Sequence, residues 1–189
     1  MNDMAAAALG FVTEPLYGGV ELDEELRRIV DAGLTVREGA VLFAGFRETL
    51  RIKAGQVTRA IERMGWRNLT TYECQHNSFH LEDDSMQQGD LNEDGVPRIS
   101  EVDQVTLLRR GLLVARDVCD LARNLEEPVP VRCIIGAGET SGTFRFHQLR
   151  DGEDWISNDL DAFRLEKIVL VDSRPSIQTL PRSAARPAS

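Results

Sequence analysis

Two prolines, Pro128 and Pro130, divide this 189-residue chain into a part with a helical hydrophobic period and a part with a strand period. Before them, apolar residues recur every three or four positions, a spacing that an α-helix turns to one face. Each proline restricts the preceding residue to an extended backbone, and apolar and polar residues alternate after them. The pattern therefore predicts helices in the first part of the chain and a sheet in the second.

Three amphipathic helices are predicted before the prolines. They cover residues 21–32, 46–64 and 101–124, and Gly33 and Gly65 follow the first two as stop signals. The third helix is the longest and should cross the core. Its apolar stripe consists of Val105, Leu108, Leu112, Ala115, Cys119 and Ala122.

The strand period predicts an antiparallel sheet in the second half. Residues 131–135 and 143–147 form a predicted hairpin, with the glycine-rich residues 136–142 as its turn rather than a phosphate-binding loop, because no helix follows them. Residues 167–172 read as a buried strand, and residues 69–80 as a further strand candidate. We therefore expect an α+β fold, with N-terminal helices followed by an antiparallel sheet of about four or five strands and helices packed on one face.

The length and the 42% share of hydrophobic residues are sufficient for one sizeable core. We expect a flexible N-terminal arm over residues 1–19, a single α+β domain over residues 20–172 and a disordered tail over residues 173–189. Neither a signal peptide nor a run of about 18 apolar residues is evident. The expected location is therefore the cytoplasm.

The net charge of −9 is concentrated in two acidic segments. Residues 82–103 contain eight acidic residues and one basic residue, and residues 151–172 contain seven acidic and two basic residues. Such a surface repels nucleic acid and anionic membranes, and it accelerates association with basic proteins. The alternative interpretation is that these acidic segments only keep the protein soluble.

The charge pattern and the lack of a complete catalytic motif favour a binding protein over an enzyme. The most concrete hypothesis is an immunity or antitoxin protein that neutralises a basic partner, such as a toxin, through its acidic loops. Trp155 is the candidate anchor of that interface, and the alternative interpretation is that it anchors its own loop on the core. The predicted partner-binding residues are Glu82, Asp83, Asp84, Asp90, Glu93, Asp94, Glu153, Asp154, Trp155, Asp159 and Asp161.

Residues 90–101 match every fixed position of a calcium-loop pattern, with alternating oxygen ligands, a glycine at the turn and a final carboxylate. This segment resembles EF-hand and dockerin calcium loops. The resemblance implies a calcium-binding module or a metal-dependent enzyme as the alternative function, with calcium as the cofactor. The implied metal ligands are Asp90, Asn92, Asp94 and Glu101.

The same segment has a purely structural interpretation. Pro97 lacks the N–H group through which an EF-hand loop pairs with a second loop. An Asx-rich turn that leads to Ser100 would also account for the pattern, since Ser100 is a predicted helix N-cap whose capping box is completed by Asp103. Both interpretations are left open by the sequence.

The cysteines and histidines form no recognisable motif. Three cysteines at wide spacing argue against a disulfide framework and for reduced, packed thiols. On a regular strand Cys74, His76 and His80 would share a face, but the two histidines would lie too far apart for one zinc ion. Polar strand positions are therefore the expected role of these histidines and of His147.

Overall fold

The fold is α+β, as expected from the sequence: two antiparallel sheets combined with helices. The computed structural model describes residues 1–10, 19–83, 86, 91, 95 and 98–173. The helices are α1 (Asp3–Gly10), α2 (Glu24–Asp31), α3 (Arg47–Arg51), α4 (Gln56–Met64), α5 (Leu69–His76) and α6 (Glu101–Arg123). The strands are β1 (Leu34–Arg37), β2 (Ala40–Phe43), β3 (Phe79–His80), β4 (Val131–Gly138), β5 (Gly142–Gln148) and β6 (Glu166–Asp172).

The larger sheet has the strand order β3-β5-β4-β6, and all neighbours are antiparallel. The predicted hairpin is confirmed, because β4 and β5 pair from Val131 opposite Gln148 to Ala137 opposite Gly142. The predicted buried strand is also confirmed as β6. The alternating pattern after the two prolines thus predicted the three long strands of this sheet.

Helix α6 packs across one face of the larger sheet. Ser100 is its N-cap, and the Ser100 hydroxyl accepts a hydrogen bond of 3.1 Å from the Asp103 N–H. Cross-strand partners place Cys133 beside Phe146, and Ile135 beside Phe144, on the face toward α6. All four of these strand side chains are buried together with the apolar stripe of the helix, so the main core lies between α6 and this face.

The predicted helix over residues 46–64 is wrong at its centre. The chain forms α3 and then α4, with Ile52 in an extended conformation (ψ 118°) and Gly55 in the left-handed region (φ 76°) between them. Two regular helical segments on either side of this break explain why the apolar spacing appears continuous. The break turns the second segment toward α5.

The strand predicted over residues 69–80 is mostly a helix, α5, and only its end forms the short strand β3. The side chain of Asn68 caps this helix by accepting a hydrogen bond of 3.0 Å from the Thr71 N–H. The helix also carries two buried polar residues, Glu73 and Asn77, at a spacing of four. Because both bind backbone groups of the strands beside them, tertiary contacts support the helical conformation here.

The smaller sheet is a hairpin of β1 and β2 that was not predicted from the sequence. Its two turn residues, Glu38 (φ 48°) and Gly39 (φ 80°), both have positive φ, as the tightest hairpin turns require. Strand β2 is buried along its whole length. Each strand has only four residues, too few for alternation to be distinguished from chance.

The flexible arm predicted at the N-terminus is wrong for residues 1–10. Helix α1 packs on β6 and α6, and Ala5 and Leu9 join the main core. Asn2 is also buried, and its amide donates to the Glu166 carbonyl (2.8 Å) and accepts from the Ile168 N–H (3.0 Å). The rest of the predicted arm, residues 11–18, and the predicted tail from residue 174 lie outside the described residues.

The described helices include none that is both long and apolar enough to span a membrane. The longest of them, α6, carries charged residues along its length.

Candidate functional site

The acidic segment after β5 forms a loop that lies against the larger sheet. We define the acidic loop as residues 151–161, which contain five acidic residues and no basic residue. The loop begins with a backbone bridge between Arg150 and Glu153. Glu153 also accepts a hydrogen bond of 2.7 Å from the Thr70 hydroxyl of α5. The start of the acidic loop is therefore fixed on both its strand side and its helix side.

Asp154 fixes the loop to the sheet face opposite α6. Its carboxylate lies 2.8 Å from a terminal nitrogen of Arg132 on β4. The remaining nitrogens of Arg132 bind both oxygens of Asp172 on β6 at 2.8 Å. The hydrogen bonds to Asp172 raise the pKa of Arg132 above its ordinary value. This arginine thus holds two acidic residues in a defined geometry.

Trp155 follows and is half-buried against the same face. The guanidinium carbon of Arg145 on β5 lies 5.7 Å from the centre of the Trp155 ring, a cation–π distance. This contact attaches the acidic loop to β5, and the role of Trp155 as an interface anchor stays a prediction. The part of the ring that stays exposed is the part through which it could meet a partner.

The far end of the loop is tied to the N-terminus of the chain. Asp161 accepts a hydrogen bond of 2.8 Å from the backbone N–H of Asp3 at the start of α1. Asp151 and Asp159 are exposed, and their carboxylates have no hydrogen-bond or ion-pair partner among the described residues. The acidic loop is therefore held at four residues, and it presents the carboxylates of Asp151 and Asp159, which have no described partner.

Glu82 and Asp83, the described acidic residues at the start of the first acidic segment, are both engaged within the protein. Glu82 is only 7% exposed: its carboxylate lies 3.0 Å from His80 and accepts a 2.9 Å hydrogen bond from the Gly142 N–H. Asp83 forms a 2.6 Å ion pair with Arg110 of α6. The predicted partner-binding residues Asp84, Asp90, Glu93 and Asp94 lie outside the described residues. Glu82 is therefore not the exposed interface residue that the prediction assumed.

The structure does not bring Glu82 next to Asp154. The Glu82 carboxylate accepts a hydrogen bond from Gly142, which pairs with Ala137 of β4. The Asp154 carboxylate instead binds Arg132 of β4. These two positions of β4 are separated by five residues, about 16 Å along an antiparallel strand. Of the two predicted interface segments, only the acidic loop forms a described, exposed surface.

The calcium hypothesis stays a prediction. Its ligands Asp90, Asn92 and Asp94 lie outside the described residues. Glu101 is exposed, but its carboxylate lies 2.8 Å from the ammonium group of Lys167 on β6. A calcium ion in this loop would have to displace Lys167 from that carboxylate, since the pattern requires both of its oxygens.

The cysteines and histidines are not arranged as a strand would place them. Cys74 and His76 lie on α5, whereas His80 lies on β3. Within the described part of the chain, no three histidine, cysteine or acidic residues are grouped as a metal site would require. All three cysteines are free and buried, and burial raises the pKa of Cys74 well above its ordinary value.

A buried polar network was missed by the sequence reasoning. Glu73 has no exposed surface, and its carboxylate accepts hydrogen bonds from the backbone N–H groups of Val41 (2.7 Å) and Gln148 (3.0 Å). Both terminal nitrogens of Arg150 also bind it, at 2.7 and 2.8 Å. Burial alone would lower the pKa of Arg150, but the hydrogen bond and the charge of Glu73 raise it. This network joins the smaller sheet, α5 and Arg150, the residue that directly precedes the acidic loop.

His147 is buried on the sheet face that the acidic loop covers. Its Nδ1 atom lies 2.8 Å from the Gln148 carbonyl, and its Nε2 atom is buried without a hydrogen-bond partner among the described residues. Burial is the main cause that lowers the pKa of this imidazole below its ordinary value. The folded protein therefore disfavours the protonated ring.

We expect stability to fall as the pH is lowered through the ordinary histidine range. The unfolded chain takes up a proton near pH 6.5, whereas folded His147 does so only at lower pH, so the unfolded state binds more protons in that window. The free energy of unfolding of the wild type and of His147→Phe, measured with urea between pH 8 and pH 5 (roughly the range in which histidine titrates), tests this expectation. The variant should lose part of the dependence of the unfolding free energy on pH, and equal slopes in both proteins would refute the assignment.

A protein-family model described as the uncharacterized protein PM0498 family matches residues 9–182. The match includes the acidic loop, the buried network and both sheets. No curated protein and no solved structure matches the chain.

Proposed function

The chain belongs to the uncharacterized protein PM0498 family, and we propose that it is a cytoplasmic protein-binding protein whose acidic loop binds a basic protein. The most specific form of this proposal is an immunity or antitoxin protein that neutralises a basic toxin or enzyme. The proposal is carried by one observation. The acidic loop presents five acidic residues without a basic one, and contacts to α5, β4, β5 and α1 hold it in place.

The anchoring contacts support a binding role because they order the loop before a partner arrives. Fixing a loop beforehand removes part of the entropic cost of association. The exposed carboxylates of Asp151 and Asp159 would attract a basic surface, and Asp154, with a side chain 44% exposed, lies between them. A loop that served solubility alone would need neither the Arg132 clamp nor the Trp155 contact.

The polarity of this surface also restricts the class of partner. Nucleic acids and anionic membranes carry negative charge and would be repelled by the acidic loop. A basic protein can use arginine residues in bidentate contacts with carboxylates, and it can place them beside the exposed part of Trp155.

Charge reversal of the two free carboxylates tests the proposal. We expect Asp151→Lys combined with Asp159→Lys to slow association with the natural partner by roughly tenfold at low salt, and the difference should shrink at high salt. The matched control is Glu126→Lys combined with Glu127→Lys, which changes the net charge equally at exposed positions after α6. The partner is first obtained by native mass spectrometry of the protein purified gently, at low salt, from its own cells.

The outcomes separate a local interface from a general charge effect. Association slowed by the loop variant alone supports the proposal. Equal slowing by both variants means that only the net charge matters, and unchanged association and salt dependence in the loop variant would remove the proposal. Because Asp151 and Asp159 have no described partner, neither substitution should alter folding, which circular dichroism checks.

A further inference from the structure

A pocket of about 540 Å³ lies between α4 and α5, away from the acidic loop. Ile52 and Ala60 form an apolar wall, and the rings of Tyr72 and His76 also line the pocket. Gln56, Arg59 and Arg63 complete the lining. The volume lies in the range of pockets that hold small molecules.

The two arginines place unpaired positive charge at this pocket. Arg59 and Arg63 are exposed, and their guanidinium groups have no hydrogen-bond or ion-pair partner among the described residues. They are four residues apart on α4, where like charges lie close together and repel each other. An anion between them would relieve that repulsion, and a guanidinium binds phosphate or carboxylate through two hydrogen bonds.

The surroundings of the pocket are basic although the whole protein is acidic. Residues 51–67 contain five basic residues and one acidic residue, against a net charge of −9 for the chain. The acidic residue of this segment is Glu62 on α4. Glu38 also acts on the pocket, since burial and then the charge of Glu38 raise the pKa of Tyr72. The Glu38 carboxylate is already engaged, since it accepts hydrogen bonds from the backbone N–H groups of Gly55 and Thr58.

The rings of Tyr72 and His76 in the pocket lining belong to a packed aromatic cluster with Trp66. The rings of Tyr72 and His76 are stacked with centres 3.9 Å apart, and Trp66 contacts both rings edge-on at 5.7 and 5.8 Å. The His76 ring is oriented by its Nδ1 atom, which lies 2.9 Å from the Tyr72 carbonyl. Such a cluster offers a planar ligand a fixed surface to pack against, at little cost in side-chain entropy.

We propose that this pocket binds a small organic anion with a planar ring, of which a nucleoside monophosphate is the representative. The phosphate would bind Arg59 and Arg63. The ring would lie between the Ile52 and Ala60 wall and the Tyr72 and His76 cluster. This site is separate from the acidic loop and does not depend on the function proposed for that loop.

The experiment is a titration of the whole chain with adenosine and uridine monophosphates and, separately, with inorganic phosphate. Trp66 reports on the cluster by fluorescence in a Trp155→Phe background, which removes the other tryptophan. Isothermal titration calorimetry on the unmodified chain provides a second readout. We expect saturable binding of at least one nucleotide and binding of inorganic phosphate at least tenfold weaker.

Two variants separate the contribution of the arginine charges to nucleotide binding from the contribution of the pocket volume. Arg59→Gln combined with Arg63→Gln should weaken nucleotide binding at least tenfold, and Ala60→Phe should do so by filling the pocket without a change in charge. Arg27→Gln combined with Arg28→Gln removes two exposed arginines of α2 and should leave binding unchanged. Absence of saturable binding at millimolar nucleotide, equal binding of phosphate alone, or an equal loss in the α2 variant would each overturn the proposal.

Discussion

Replacement of Glu73 by alanine is expected to lower the free energy of unfolding by about 3–5 kcal/mol, the usual cost of breaking a buried ion pair from one side. Glu73 is fully buried, and its carboxylate accepts four hydrogen bonds, two from backbone N–H groups and two from Arg150. Alanine would leave all four donors without this acceptor. The guanidinium of Arg150, 17% exposed, would suffer most because its charge would lose its partner.

The position of Glu73 explains why the effect should spread beyond α5. Its carboxylate links Val41 of the smaller sheet to Gln148 of the larger sheet, and Asn77 repeats the link one turn later. Asn77 accepts from the Phe43 N–H (3.1 Å) and donates to the Val41 carbonyl (2.8 Å). Arg150 also binds the Gly39 carbonyl. We therefore expect Glu73→Ala to loosen the start of the acidic loop as well.

Chemical denaturation, followed by circular dichroism, measures this loss. The matched control is Glu139→Gln, which removes an ion pair whose partners, Glu139 and Arg98, are each 57% exposed, and which should cost at most about 1 kcal/mol. Glu73→Leu combined with Arg150→Met should recover part of the stability, because neither charge is then left unpaired. A cost for Glu73→Ala as small as that of the control would show that the network contributes nothing.

Replacement of Gly111 by alanine is expected to destabilise the protein by about 1–3 kcal/mol, although alanine is the better helix former. Gly111 lies where α6 crosses β4, and a Cβ atom there would collide with Cγ2 of Ile135. It would also lie 3.0 Å from Cγ1 of Ile135 and 3.2 Å from Leu81. All of these neighbours are fully buried, so the helix would have to move away from the sheet.

A double-mutant cycle with Ile135→Ala tests this cause. Shortening Ile135 leaves a cavity and should cost about 2–5 kcal/mol by itself, but Gly111→Ala added to it should cost much less than in the wild type. Gly10→Ala is the control, since no atom of the described residues lies within 4 Å of a Cβ atom there, and it should be neutral or slightly stabilising. Additive costs in the cycle would mean that the two residues do not collide.

The local sequence pattern was sufficient to predict a helix or strand where one face of that element packs on the core. The stripe of α6 and the alternation of β4 and β5 could be read directly, because burial on one side imposes a period on the sequence. The acidic loop was also evident, since a segment with five acidic residues and no basic one belongs on the surface. These elements supplied the α+β fold class and the surface on which the proposed function rests.

Only the tertiary structure decided the rest, because the deciding interactions join residues far apart in the chain. A buried glutamate such as Glu73 cannot be told from a solvated one in the sequence, and its hydrogen-bond donors, among them Arg150, come from other elements. The same holds for Glu82, which looked exposed but has a side chain only 7% exposed that accepts a hydrogen bond from the Gly142 N–H. The pocket of Arg59 and Arg63 exists because the helix predicted over residues 46–64 breaks at Gly55 and turns α4 against α5. The sequence by itself determined the hydrophobic periods of the helices and strands and the distribution of charge along the chain. The pairing of buried polar groups followed from the packing of the sheets and helices.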